Sequence, residues 1–154
     1  MLEEPQIVRS AEQLTAVVPL RVPRSEIQAV MGPGIQELLQ VVGSQGIGPA
    51  GPCFCRHFRL EPDYFDFEIS VSVTAPVTPV GRVRGSSLPA VTAARTVYVG
   101  PYEGLGPAWG EFDAWVAAQG LEPAEWLWEC YVAGPESGSD PSGWRTELNR
   151  PLAA

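Results

Sequence analysis

The sequence predicts an α+β fold in which a strand-helix-strand-strand (βαββ) unit occurs twice, as two pseudo-symmetric repeats with helices on one face of an antiparallel sheet. An internal repeat is the main observation: a shift of 74 positions aligns residues 32–50 with 106–124 and gives eight identities in nineteen positions. Each half also combines period-two apolar runs with one stretch of helical spacing. We place the repeats at about 6–75 and 82–152 of a single domain over 1–154, and we expect a central ligand cleft where they meet.

The first repeat has one helical region between extended segments. Apolar and β-branched residues predict the strands, and apolar residues three and four apart predict the helix. In chain order we predict a strand over 14–22, a helical turn after Ser25 that stops or kinks at Gly32-Pro33-Gly34, a helical piece from Ile35 to Gly46, and a hairpin of strands 52–60 and 64–74.

The second repeat follows a proline-rich bridge over 75–81. Pro107 suits the first position of a helix, and Gly120 suits its end. We predict a strand over 89–99, a helix over 107–118 and hairpin strands over 126–132 and 144–151, with a longer hairpin loop over 134–143 that could act as a lid.

Charge and composition exclude several classes of protein. The net charge of −8 and a pI near 4.6 repel phosphate backbones, so direct nucleic-acid binding is disfavoured. An apolar run long enough to span a membrane and a basic, apolar leader are both absent from the sequence, so we expect no membrane association and a cytoplasmic location. Three Cys and one His predict reduced thiols, no metal and no cofactor.

The strand over 126–132 carries a carboxylate within an aromatic run. Alternation places Leu127, Glu129 and Tyr131 on one face, and Trp126 and Trp128 on the other, where we expect the two indoles to pack under the helices. An unpaired buried carboxylate costs several kcal/mol, so Glu129 needs a partner. The partner is a ligand, one of the arginines Arg21 and Arg95, or a Tyr hydroxyl.

Four segments carry a resemblance to a known family. They are 99–105 (Val-Gly-Pro-Tyr-Glu-Gly-Leu), the Trp-bearing helix that follows, 128–131 (Trp-Glu-Cys-Tyr) and 144–152 (Trp-Arg-Thr-Glu-Leu-Asn-Arg-Pro-Leu). Together they resemble the gyrase-inhibitor-like (GyrI-like) effector-binding domain of bacterial multidrug-responsive transcription regulators. Those regulators carry a helix-turn-helix segment before the domain, and because this chain shows none, we expect a stand-alone form.

The resemblance implies a pocket of aromatic and glutamate side chains. Its ligand-binding glutamate matches Glu129, with Tyr131 beside it, and a second acidic position on the last strand matches Glu147. The implied function is binding of hydrophobic, aromatic and cationic small molecules by a monomer or weak dimer.

Two other functions remain open at this point. Some stand-alone members resemble hydrolases that open cyclopropane rings, with Glu129 as base and Tyr131 or Glu147 assisting. A protein-interaction module, as in gyrase inhibitors, is the third hypothesis.

The remaining candidate site residues come from both repeats. Under the 74-residue shift Cys55 corresponds to Glu129 and His57 to Tyr131, and a Cys55–His57 dyad is the sharpest alternative to an ordinary strand histidine. Tyr98 and Tyr102 flank a Gly-Pro turn and could stack on a flat cation, or lie exposed. Trp109 is either a pocket wall or part of the core. The predicted ligand-binding set is Glu129, Tyr131, Glu147, Tyr98, Tyr102, Trp109, Phe54, Cys55 and His57.

Overall fold

A computed structural model describes residues 2–60, 62–133 and 140–153, with the backbone alone at 59 and 60. Most of the predicted hairpin loop over 134–143 lies outside the described residues. The chain forms two compact units, which we name after their helices: the α1 unit, residues 11–90, and the α2 unit, residues 1–10 together with 91–154.

Each unit contains one helix and four strands. Both contain the predicted order of strand, helix, strand and strand, which confirms the α+β fold. In chain order the elements are β1 (Gln6–Arg9), β2 (Gln13–Pro23), α1 (Ile27–Ser44), β3 (Phe54–Leu60), β4 (Tyr64–Ser72), β5 (Arg84–Leu88), β6 (Thr92–Val99), α2 (Leu105–Ala118), β7 (Leu127–Ala133) and β8 (Arg145–Pro151).

The α1 unit is an antiparallel sheet in the order β3-β4-β2-β5, covered on one face by α1. Ile69 of β4 lies between Val18 of β2 and Cys55 of β3, and alternation places all three on the same face. Gly34 of α1 lies against this face, because a Cβ atom there would stand only 2.5 Å from Cδ1 of Ile69. Glycine therefore permits the close approach of helix and sheet.

Helix α1 runs without interruption through Pro33, so the predicted stop at 32–34 is wrong. A proline inside a helix costs about 3 kcal/mol, chiefly through one lost hydrogen bond and a clash with the preceding turn. The buried Leu38 and Val42 follow it on the same helix. Burying a side chain of this kind yields about 1.5–3 kcal/mol, which is sufficient to offset the proline.

The α2 unit is an antiparallel sheet in the order β1-β6-β8-β7, and α2 covers one face. The core between helix and sheet consists of buried apolar and aromatic side chains from both layers: Ala94, Tyr98, Ala108, Phe112, Val116 and Leu148. Phe112 and Val116 confirm the predicted apolar stripe of the helix. We call this side of the sheet the helix face and the other side the open face.

Two short strands differ from the prediction. β1 pairs with β6 (Ile7 with Ala94), so residues 6–9 belong to the sheet of the α2 unit although we placed them in the first repeat. β5 was not predicted, because the Gly85-Ser86-Ser87 sequence lacks alternating apolar residues, yet it pairs with β2. Pairing with an existing strand, not local preference, makes both segments extended.

Candidate functional site

Glu129 lies on β7 beneath helix α2 and is 8% exposed. The indole Nε1 of Trp109, on α2, donates a hydrogen bond to Oε2 at 2.7 Å. The hydroxyl of Tyr131, two residues further along the strand, donates to Oε1 at 3.2 Å. Each carboxylate oxygen thus accepts a hydrogen bond, and a Tyr hydroxyl, one of the partners that the sequence left open, is among the donors.

Burial controls the ionisation of Glu129. It raises the pKa of the carboxyl above the ordinary value of 4.5, and the hydrogen bonds from Trp109 and Tyr131 act in the opposite direction. Both donors are neutral groups, so they stabilise the anion without neutralising its charge. The carboxyl of Glu129 therefore loses its proton at a higher pH than an exposed glutamate does.

Two aromatic rings continue from Tyr131 away from the carboxyl. Tyr102, in the 3-10 turn Tyr102–Gly104 that precedes α2, meets Tyr131 edge-on with ring centroids 6.0 Å apart. On its other side Tyr102 contacts Trp144 at 4.9 Å. We call Tyr102, Tyr131 and Trp144 the aromatic cluster. Trp144 was absent from the predicted set of ligand-binding residues. It is the first residue of segment 144–152, one of the four segments that carry the family resemblance, and this position could have indicated it.

Tyr98 is separate from this cluster. It is 7% exposed, lies in the core of the α2 unit, and donates a hydrogen bond from its hydroxyl to the carbonyl of Pro101 at 2.9 Å. Its ring packs beneath α2, and its hydroxyl fastens the turn that leads into the helix. The structure therefore gives Tyr98 a structural position, whereas it places Tyr102 beside Tyr131.

Glu147 lies on the open face of the sheet, whereas Glu129 lies on the helix face. Its strand partner is Cys130, and its carboxylate accepts a hydrogen bond from Asn149 at 3.1 Å and pairs with Arg95 at 3.4 Å. The structure does not bring the two glutamates together, because adjacent residues of β7 point to opposite sides.

The tryptophans of β7 correct a second expectation. Trp126 and Trp128 stack with centroids 5.6 Å apart, as residues on one face should. Glu129, however, is the residue that contacts α2. The prediction that these indoles pack under the helix is therefore wrong, because the helix covers the opposite face, with Glu129.

The candidates from the first repeat lie in the α1 unit. The thiol of Cys55 donates to Sδ of Met31 on α1 at 3.8 Å, and His57 stacks on Phe67 with ring centroids 5.1 Å apart. Burial, together with Arg24, lowers the pKa of His57 to about 4, which keeps the imidazole neutral at pH 7. Phe54 is buried on the opposite side of this sheet.

The remaining expectations concern metal binding and membrane crossing. Within 2–60, 62–133 and 140–153, three or more His, Cys, Asp or Glu side chains nowhere come together in a way that could hold a metal ion. Across the same residues, neither helix is both long enough and apolar enough to cross a membrane.

The sequence matches one family model over almost its full length. Residues 3–153 match the GyrI-like small molecule binding domain, so the chain belongs to the GyrI-like family. The segments quoted from the sequence identified the same family. No curated protein matches the chain.

Solved structures share the fold at low sequence identity. The C-terminal domain of EcmrR has a TM-score of 0.86 and 22% identity, with 97% of each chain covered. EcmrR in its complex with DNA has a TM-score of 0.85 and 21% identity. The match covers 97% of this chain and 57% of the EcmrR chain, so this chain spans little more than half of that protein. SAV2435 bound to tetraphenylphosphonium has a TM-score of 0.74 at 12% identity, with 99% and 95% covered.

Proposed function

We propose that this GyrI-like chain binds aromatic, lipophilic cations, with Glu129 as the acidic anchor and the aromatic cluster as the surface on which their rings stack. The observation that carries the proposal is the Glu129 carboxyl itself, held beneath α2 by the neutral donors Trp109 and Tyr131 and continued by two further rings. A buried acid with this surrounding is suited to a ligand that brings its own positive charge.

The energetics favour a cation over a neutral ligand. Ionising the buried carboxyl is costly in the free protein, which is why its pKa is raised. A cation close to the carboxylate offsets this cost, since charges attract strongly where water is excluded. Each aromatic face adds roughly 0.5–2 kcal/mol when a cation lies over it. Both contributions select flat or ring-bearing cations.

The neighbouring structures support this ligand class by analogy of fold. SAV2435 is bound to tetraphenylphosphonium, a lipophilic cation with four phenyl rings. EcmrR forms a complex with DNA, and the match with this chain covers 57% of the EcmrR chain. We propose that this chain supplies the ligand-binding part of such a system and not the DNA contact, because its net charge of −8 repels phosphates.

Binding of tetraphenylphosphonium, followed by quenching of Trp fluorescence, tests the proposal. We expect saturable binding that weakens at least ten-fold, or about 1.4 kcal/mol, in Glu129→Gln. Glu111→Gln is the matched control, because it removes the same charge from an exposed position on α2 and should bind like the wild type. Equal affinities in all three proteins would contradict the role of Glu129.

Hydrolysis of strained electrophiles is the second candidate function, and one observation favours it. The Glu129 carboxyl, whose pKa burial raises, lies 3.2 Å from the Tyr131 hydroxyl, so in its protonated form the pair can deliver a proton to a leaving oxygen or ring carbon. The raised pKa makes Glu129 better suited to act as the acid than as the base. Mass spectrometry of a cyclopropane-bearing alkylator tests this: water addition lost in Glu129→Gln supports it, and an unchanged compound contradicts it.

A further inference from the structure

The two units place different chemistry at one matching strand position. In the α2 unit, Glu129 on β7 meets Trp109 on the covering helix. The 74-residue shift aligns Cys55 with Glu129, and in the α1 unit Cys55 on β3 meets Met31 on the covering helix. One unit thus has a carboxyl and an indole beneath its helix, and the other has a thiol and a thioether.

We propose that Cys55 and Met31 form a binding site for a soft monovalent metal ion, Cu(I) or Ag(I), beneath helix α1. The thiol and the thioether are the two protein ligands that soft metals prefer over harder oxygen donors. The proposed metal site lies in the α1 unit, whereas the cation site was proposed for the α2 unit.

The distance between the sulfur atoms suits a shared metal. Sγ of Cys55 and Sδ of Met31 are 3.8 Å apart. Sulfur ligands of zinc lie about 2.3 Å from the metal, and two such ligands at tetrahedral to trigonal angles are separated by about 3.8–4.0 Å, close to the observed spacing. The metal can therefore enter between them with little movement of the helix or the strand.

A third donor is available on the same strand face. His57 lies two positions after Cys55, so its side chain emerges on the same side of β3, about 6.6 Å further along. Its imidazole is buried, and imidazole is the commonest metal ligand among protein side chains. The nearby Arg24 disfavours added positive charge, which selects a monovalent ion over a divalent one.

Metal binding replaces the thiol proton. The S–H bond of Cys55 breaks, a sulfur–metal bond forms, and the proton leaves to solvent, so a monovalent ion adds no net charge to the buried site. No oxidant or reductant takes part. Burial excludes water from the thiolate and from the ion, which favours soft ligands over hydration.

Titration with Ag(I), which needs no reducing conditions, in the presence of a competing thiol tests the site. We expect wild-type protein to bind one Ag(I) by native mass spectrometry and to release one proton per ion. Cys55→Ala should lower the affinity at least a hundred-fold and Met31→Leu at least ten-fold. Cys130→Ser, which removes a thiol from the α2 unit, should bind Ag(I) like the wild type.

The controls separate a lost ligand from a lost fold. Far-UV circular dichroism and tetraphenylphosphonium binding of Cys55→Ala and Met31→Leu should match the wild type, because the α2 unit is unchanged. Absence of competed Ag(I) binding in wild-type protein would overturn the proposal. So would retention of the ion by Cys55→Ala or its loss in Cys130→Ser.

Discussion

Trp109 on α2 and Glu129 on β7 are joined by a hydrogen bond of 2.7 Å that connects the helix to the sheet through a buried carboxyl. The indole N–H can only donate, and a carboxyl oxygen accepts it in either ionisation state. The bond therefore persists while the charge of Glu129 changes. This contact therefore links the ionisation of Glu129 to the packing of α2 on the sheet.

The first prediction concerns the pH dependence of cation binding. A cation favours the ionised carboxylate, whereas burial in the free protein raises the pKa of the carboxyl and so favours its protonated form. Affinity for tetraphenylphosphonium should rise with pH by up to about ten-fold per unit until the pKa of the free protein is passed. Trp quenching from mildly acidic to mildly alkaline pH measures it. The affinity of Glu129→Gln should not depend on pH, and a slope in that variant would contradict the assignment.

The second prediction concerns stability. The folded-state pKa of Glu129 lies above the ordinary 4.5, so the folded protein binds the proton more tightly than the unfolded chain. The stability that this provides is complete below the unfolded pKa and is lost as pH rises through the folded value, at up to about 1.4 kcal/mol per unit. In urea unfolding experiments, the free energy of unfolding of Glu129→Gln should increase relative to that of the wild type as pH rises. The same pH dependence of the free energy of unfolding in Glu129→Gln and wild type would refute this prediction. Glu111→Gln is the control and should show the pH dependence of the wild type.

The third prediction isolates the indole donor. Trp109→Phe replaces the indole by a phenyl ring, which is still aromatic but has no N–H. Oε2 of Glu129 loses this donor, and the pKa of Glu129 therefore rises further. We expect the free energy of unfolding to fall by about 1–3 kcal/mol, and the pH midpoint of cation binding to move upward. Trp115→Phe on the same helix is the control, because Trp115 packs against the core cluster. An equal midpoint shift in both variants would show that packing alone is responsible.

The fourth prediction compares two glycines of α1. A Cβ at Gly34 would stand 2.5 Å from the fully buried Ile69, whereas a Cβ at the exposed Gly43 has no atom within 4 Å. Gly34→Ala should destabilise the protein by about 1–3 kcal/mol through overpacking. Gly43→Ala, on the same helix, should stabilise it by about 0.5–1 kcal/mol, because alanine favours the helix. Thermal unfolding of the two variants measures both effects, and a gain at Gly34 would show that the helix can move off the sheet.

Sequence periodicity predicted the elements that bury one regular face. β4 and α2 appear close to their expected bounds, because alternation and the spacing of Phe112 and Val116 directly reflect burial. Pro33 misled the prediction, because a proline is a local signal and the packing of α1 is not. β5 could not be predicted, because only the pairing with β2 makes it a strand.

The site was partly predictable for the same reason. Alternation correctly put Glu129 and Tyr131 on one face, and their hydrogen bond confirms it. Alternation cannot say which face a helix covers, so Trp128 was placed beneath α2 and Glu147 was grouped with Glu129. The partner of Glu129, Trp109, was in the predicted set, but its bond to the carboxyl depends on the tertiary position of α2.

The pairing of β1 with β6 has a consequence for synthesis on the ribosome. Residues 11–90 form the α1 unit between the first strand of the α2 unit and the rest of it. All of its strands are made consecutively, so this unit can fold as soon as it emerges from the exit tunnel. β1 has by then emerged without a partner, and it stays unpaired until β6 is translated. The exposed edge of that early strand, with Ile7 on it, is the part of the nascent chain on which a chaperone would act.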